Sequence, residues 1–149
     1  MTDRKNILKA SLGTTLVTGG TGKTGRRVVE RLKARGVETR IASRNSSPAF
    51  DWHDSSTWDA VLEGVTSAYI AYAPDVAIPG ATDLIGEFVD VAVKQGVRHL
   101  VLLSGRGEVE AQASERIVQS AGIDWTIVRA GWFMQNFSEG EFLPMVMDG

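Results

Sequence analysis

The stretch VTGGTGKTG, from Val17 to Gly25, holds the residue types and spacing that grip phosphate. Glycines let a backbone approach an anion closely, and amide N–H groups at a helix start point towards it. Two chemistries share these letters. Gly22-Lys23-Thr24 matches the tail of an ATP-binding loop, Gly-x-x-x-x-Gly-Lys-Thr. The leading glycine of that pattern falls at position 17, which is Val17. A β-branched residue resists the sharp bend required there. Gly19, Gly22 and Gly25 are spaced Gly-x-x-Gly-x-x-Gly and fit a dinucleotide turn instead. In that reading Gly19 permits the tight turn, Gly22 admits the pyrophosphate, and Gly25 lets the next helix pack on the sheet. The amides of Thr21, Gly22, Lys23 and Thr24 then face the pyrophosphate, and the Lys23 side chain either offers a further phosphate contact or points into solvent. A tight turn without a ligand is the alternative.

A second stretch bears on which dinucleotide. The end of the second strand faces the adenosine ribose, where an acidic residue bonds the 2′-hydroxyl of NAD and repels the 2′-phosphate of NADP. Here it reads Ile41-Ala42-Ser43-Arg44-Asn45-Ser46, with no Asp or Glu. Arg44 can fork onto a phosphate, and Ser43 and Ser46 can donate to it. The expected cofactor is therefore NADP, with NAD less favoured. The alternative for Arg44 is a solvated loop residue.

These residues need a scaffold, and the chain supplies one by repetition. Four segments open with Gly and a β-branched residue and then run apolar: GVETRIAS from Gly36, GVTSAYIAY from Gly64, GVRHLVLLS from Gly96 and GIDWTIVR from Gly122. Each follows a stretch with apolar residues at helical spacing, such as Leu84, Ile85, Phe88, Val89 and Ala92 before Gly96. A glycine just past the last turn takes the left-handed cap without steric cost. With a first strand at Thr14–Thr18, the pattern is β-α-β repeated. Near-continuously apolar strands such as LVLL and YIAY fit a sheet covered on both faces. The expected fold is α/β, a doubly wound parallel sheet of Rossmann type. A short strand is expected near Phe50–Trp52 and a helix over Glu141–Met147. Residues 1–13 read as an N-terminal tail, and 14–149 as one dinucleotide-binding domain.

TLVTGGTGKTGRRVV, IASR, FDWHDSSTWDAVLEGV, AYIAYAPD, GVRHLVLLSGRGE and DWTIVRAGWFMQNF, in this order, resemble the NmrA-like branch of the atypical short-chain dehydrogenases. Within it they are most similar to bacterial proteins labelled as ergot-alkaloid-biosynthesis-like. The likeness runs from Thr14 to Gly149. It implies that Asp51 and Trp52 lie near the adenine. It implies that Ala71, Tyr72, Ala73 and Pro74 line the ribose and nicotinamide, and that Ser104 sits beside the nicotinamide. Arg129, Gly131, Phe133 and Asn136 match the stretch that closes over that end. Trp52 and Phe133 also read as packing residues, and Tyr72 as a strand end.

Two departures from the wider family carry expectations. Typical short-chain dehydrogenases use Tyr-x-x-x-Lys, in which the Tyr passes a proton as hydride moves. The corresponding stretch, Glu108 to Glu115, holds no Tyr or Lys; the nearest formal match is Ala111-x-x-x-Glu115. Common carbonyl reduction is disfavoured, and a small imine, iminium or quinone-like acceptor is expected. Ser104, Arg106 and Glu108 are the polar catalytic candidates. Glu110 and Glu115 read as helix residues facing water. Family members also continue into a substrate-binding part, so this chain reads as their N-terminal part. The competing function is a non-catalytic NAD(P)-sensing regulator that acts through a protein partner.

Bulk properties bound the rest. The 149 residues carry a net charge of −2, 43 % hydrophobic residues and no cysteine. Near-balanced charge without a basic run disfavours a nucleic-acid surface. Thiolate metal sites and disulfides are excluded, and the two histidines, His53 and His99, are far apart. No apolar run approaches the ~20 residues of a membrane span. A soluble cytoplasmic protein with a small-molecule substrate is expected. Self-association through an exposed sheet edge is an open alternative.

Overall fold

Strand, helix and glycine stop alternate as the pattern demands. The computed structural model describes residues 13–140 and 142–148. Five strands, β1 (Thr14–Thr18), β2 (Glu38–Ala42), β3 (Val65–Ile70), β4 (His99–Gly105) and β5 (Asp124–Ala130), form one sheet in the order β2-β1-β3-β4-β5. Every pairing is parallel. The connecting helices are α1 (Gly25–Ala34), α2 (Trp58–Leu62, entered by a 3₁₀ turn at Ser55–Thr57), α3 (Ala81–Lys94) and α4 (Val109–Gln119). Two short helices, α5 (Gln135–Ser138) and α6 (Leu143–Met147), follow β5.

Gly36, Gly64, Gly96 and Gly122 all take positive φ, between 70° and 96°. After α1, the Gly36 and Val37 amides donate to the Lys33 and Leu32 carbonyls; after α3, Gly96 and Val97 do the same to Val93 and Ala92. This crossed pair of bonds is the glycine stop that satisfies the last helical carbonyls.

Alternation along the strands sorts the core into two layers. Leu16, Ala68, Ile70, Leu100 and Leu102 face one side and pack against Ile85 and Phe88 of α3 and Ala111 and Val118 of α4. Val17 and Tyr69 face the other and meet Val29 of α1. Among the described residues, no helix is long and apolar enough to cross a membrane.

Phe50–Trp52 is not a sheet strand. It carries only an isolated antiparallel bridge between Asp51 and Asp54. The Phe50 amide bonds back to the Ser43 carbonyl at 2.9 Å, and both rings enter an aromatic cluster with Trp58 and Phe88. That alternating burial mimics a strand in the sequence. α6 begins at Leu143, with Pro144 in its first turn; Glu141 lies outside the described residues. The expected tail also lies outside them, apart from Gly13.

Candidate functional site

In a doubly wound sheet, the chain leaves β1 towards one face and the next crossover covers the other, which opens a crevice at the strand carboxyl ends. Thr18, fully buried at the end of β1, holds this point together. Its hydroxyl donates to the Tyr69 carbonyl at 3.0 Å and accepts the Ala71 amide at 2.8 Å. Over it lies a cleft of ≈ 500 Å³. Gly19, Thr21, Gly22, Ser43, Arg44, Asp51, Trp52, Ala73 and Pro74 all line it, as do Ala42, Phe50, His53 and Ala71.

The glycines divide their work. A Cβ at Gly25 would collide with the Gly19 carbonyl, so Gly25 is a packing requirement beneath the turn. A Cβ at Gly22 would meet only the Gly19 carbonyl, at 3.2 Å, and would otherwise occupy the cleft. That is a cradle shaped for a ligand's close approach. Not every expected amide is free. The Gly22 N–H is committed to the Gly19 carbonyl at 2.9 Å. Among the described residues, no hydrogen bond engages the amides of Thr21, Lys23 or Thr24. The Thr24 hydroxyl instead accepts from the Tyr69 phenol at 3.3 Å, tying α1 to β3. Burial pushes the Tyr69 phenol up, so it remains a donor at neutral pH.

The Lys23 ammonium turns away from the cleft and donates to the Asn136 side-chain carbonyl at 2.9 Å. Beside it, Arg26 and Arg27 grip Glu139. Chiefly through the Arg27 hydrogen bond, this holds the Glu139 carboxyl below the usual range. The segment after β5 is thereby docked on the start of α1.

On the adenosine side, Arg44 is exposed at the cleft rim, and no hydrogen bond or ion pair among the described residues engages its guanidinium. Ser46 is different. Its hydroxyl accepts the Ser43 amide and lies 2.8 Å from the Ser43 and Pro48 carbonyls, so it closes its own turn. It does not line the cleft. Trp52 is 7 % exposed and packs on Tyr72 with ring centroids 5.1 Å apart. The Trp58 indole donates to the Asp51 carbonyl at 2.8 Å and locks the loop from below.

Pro74 also borders a second recess, of ≈ 140 Å³, whose lining includes Tyr72, Leu103, Ser104, Glu108 and Phe133. Of the polar candidates, Ser104 and Glu108 line it and Arg106 does not; the Arg106 side chain is exposed. Glu115 does not face water. It is 3 % exposed, accepts the Ser104 hydroxyl at 2.7 Å, and is forked by Arg129 at 2.8–3.2 Å. The Arg129 hydrogen bonds hold the Glu115 carboxyl below its usual range against the opposing effect of burial. The sequence did carry a signal. Ala111, Glu115 and Val118 share one helical stripe, and the outer two are fully buried.

A protein-family model described as NAD(P)H-binding matches residues 19–145. The chain belongs to this NAD(P)H-binding family. More narrowly, it is an NmrA-like atypical short-chain dehydrogenase family member. The NAD(P)H-binding chain is 31 % identical over 145 residues to agroclavine dehydrogenase of Claviceps fusiformis, which covers 87 % of this chain and 50 % of that protein. It is 32 % identical over 142 residues to prestalk A differentiation protein A of Dictyostelium discoideum, covering 84 % and 46 %. Its fold matches the triphenylmethane reductase of Citrobacter sp. solved with NADP(H), with a TM-score of 0.68 at 18 % identity, over 83 % of this chain and 51 % of that one. The chain thus spans about half the length of the curated relatives it matches. A nicotinamide dinucleotide is the cofactor class this family binds.

Proposed function

We propose that the chain binds NADP(H) across its two hollows, as the cofactor-holding part of an oxidoreductase. The acceptor would be a small organic molecule of imine, iminium or quinone-like type. The carrying observation is the ≈ 500 Å³ cleft at the switch point, lined together by the glycine turn, Ser43–Arg44, Asp51–Trp52 and Ala73–Pro74. Gly22 would admit the pyrophosphate, and the unengaged amides of Thr21, Lys23 and Thr24 would hold it. Arg44 would take the 2′-phosphate, a group that a carboxylate in its place would repel. Asp51 and Trp52 would bound the adenine. The bound nicotinamide supplies or accepts hydride. Its end of the molecule would lie beyond Pro74, in the recess with Ser104 and Glu108. The agroclavine dehydrogenase likeness supports the enzyme reading. Residues 14–149 act here as one dinucleotide-binding domain.

A second reading is a cofactor-sensing regulator that signals through a protein partner. The stretch Glu108 to Glu115, whose nearest formal match to Tyr-x-x-x-Lys is Ala111-x-x-x-Glu115, favours it, as does a relative named for differentiation rather than for a reaction. Calorimetric titration of the chain with NADP, NAD and ATP tests the binding claim. Tight NADP, weaker NAD and no ATP are expected; ATP binding at the affinity of NADP would contradict it. Turnover of an imine with NADPH, or its absence when NADPH binds tightly, separates the enzyme from the regulator.

A further inference from the structure

Glu115 and Ser104 are buried polar groups that no phosphate contact uses, and their arrangement fixes a polarity. Arg129 forks the Glu115 carboxylate and keeps it ionised at neutral pH. An ionised carboxylate only accepts hydrogen bonds. The Ser104 oxygen lies 2.7 Å from it, so the single serine hydrogen is directed at Glu115. What Ser104 turns towards the recess is a lone pair.

We propose that Glu115 is a positioning residue that makes the Ser104 hydroxyl a dedicated acceptor, so that the recess selects a flat ring bearing an N–H donor: the carboxamide of the nicotinamide. This rests on the dinucleotide reading above. The recess suits such a group. Tyr72, Pro74, Leu103 and Phe133 give it apolar walls, and Ser104 is 3 % exposed among them. Asp75 and Glu108 also line it, but both are exposed residues, and the Asp75 carboxylate already accepts the Ala77 amide at 2.9 Å. Arg129 balances the charge of Glu115, so the recess gains an acceptor without gaining a buried net charge. One consequence is that Ser104 does not serve as a proton donor to a substrate.

The test is calorimetric titration of the whole chain with NADP and with its 3-acetylpyridine analogue, in which a methyl group replaces the carboxamide NH₂. The wild type binds the carboxamide form about five- to tenfold more tightly, the worth of one hydrogen bond. In Glu115→Gln, Arg129 claims the new carbonyl oxygen, so the amide NH₂ donates to Ser104 and turns the serine hydrogen into the recess. The preference then falls to about one. Ser104→Ala removes the acceptor and gives the same collapse, and it decides the matter if Glu115→Gln does not fold. A merely structural role lowers both affinities by one factor and leaves their ratio unchanged. That result, or a wild-type ratio near one, overturns the inference and leaves the dinucleotide reading standing. Failure of the wild type to bind either form overturns both.

Discussion

The walls of the ≈ 500 Å³ cleft come from three loops whose backs are buried, whereas the ≈ 140 Å³ recess beside it opens onto the least covered part of the molecule. Beneath the cleft, Phe50, Trp52, Trp58, Tyr72 and Phe88 form a continuous ring cluster, each residue less than 9 % exposed. Beyond the recess, β5 is a sheet edge with Trp125 and Val128 both 45 % exposed, and Trp132 and Met134 stand above 70 %. The exposed large apolar side chains of the described residues lie between Trp125 and Met147, with Val109 the one exception. The floor of the larger cleft is thus buried, and the side beyond the recess is exposed. On the proposed reading, cofactor recognition would be built into the sheet and substrate recognition left to its open side.

Substitutions sharpen this contrast. Phe88 is fully buried between Phe50, Trp52 and Trp58, so Phe88→Ala should destabilise the fold by about 3–5 kcal/mol in denaturant unfolding. A loss below about 1 kcal/mol would mean that the cluster is not a floor. Gly22→Val places a branched side chain in the cleft and should lower affinity for NADP and NAD alike, by at least about 100-fold, while the melting temperature holds. Arg44→Asp should separate the two cofactors. Loss of a charge-assisted contact worth about 1.5–3 kcal/mol weakens NADP by about 10- to 100-fold and leaves NAD nearly unchanged. An equal loss for both would remove Arg44 as the selector.

The recess side predicts smaller effects. The folded Glu115 carboxyl titrates below its unfolded value of 4.5, so its contribution is fully present above that value. It disappears as pH falls through the lower folded value. Melting temperatures of wild type and Glu115→Gln should therefore differ at neutral pH and converge in acid. A difference that is constant with pH would mean that Glu115 is not ionised in the folded state. Trp132→Ser, at an exposed position, should change stability by no more than about 0.5 kcal/mol, the mirror image of Phe88→Ala.

The sequence revealed the sheet because its central strands are apolar on both faces and its helices stop at glycine. It revealed the glycine turn because three glycines in the first strand-to-helix connection have few other uses. It misread three sites for definite reasons. Phe50 and Trp52 alternate like a strand but are buried in a ring cluster. Ser46 has a donor's chemistry, yet the turn it closes claims its hydroxyl. Glu115 looks solvated by residue type, and only its place on the buried stripe of α4 betrays the ion pair with Arg129. Thr18 went unnoticed because strand-bridging by a hydroxyl needs the β1–β3 neighbourhood, which sequence order does not display.

The most direct test of where the cofactor lies is amide chemical-shift mapping of the isotope-labelled chain with NADP. The largest shifts are expected at Thr21, Lys23 and Thr24, then at Ser43 and Arg44, with a second group at Ser104 and Gly105 that NADP produces and 2′,5′-ADP does not. Shifts confined to the β5 edge, or the same pattern from both ligands, would contradict a dinucleotide laid across the two hollows.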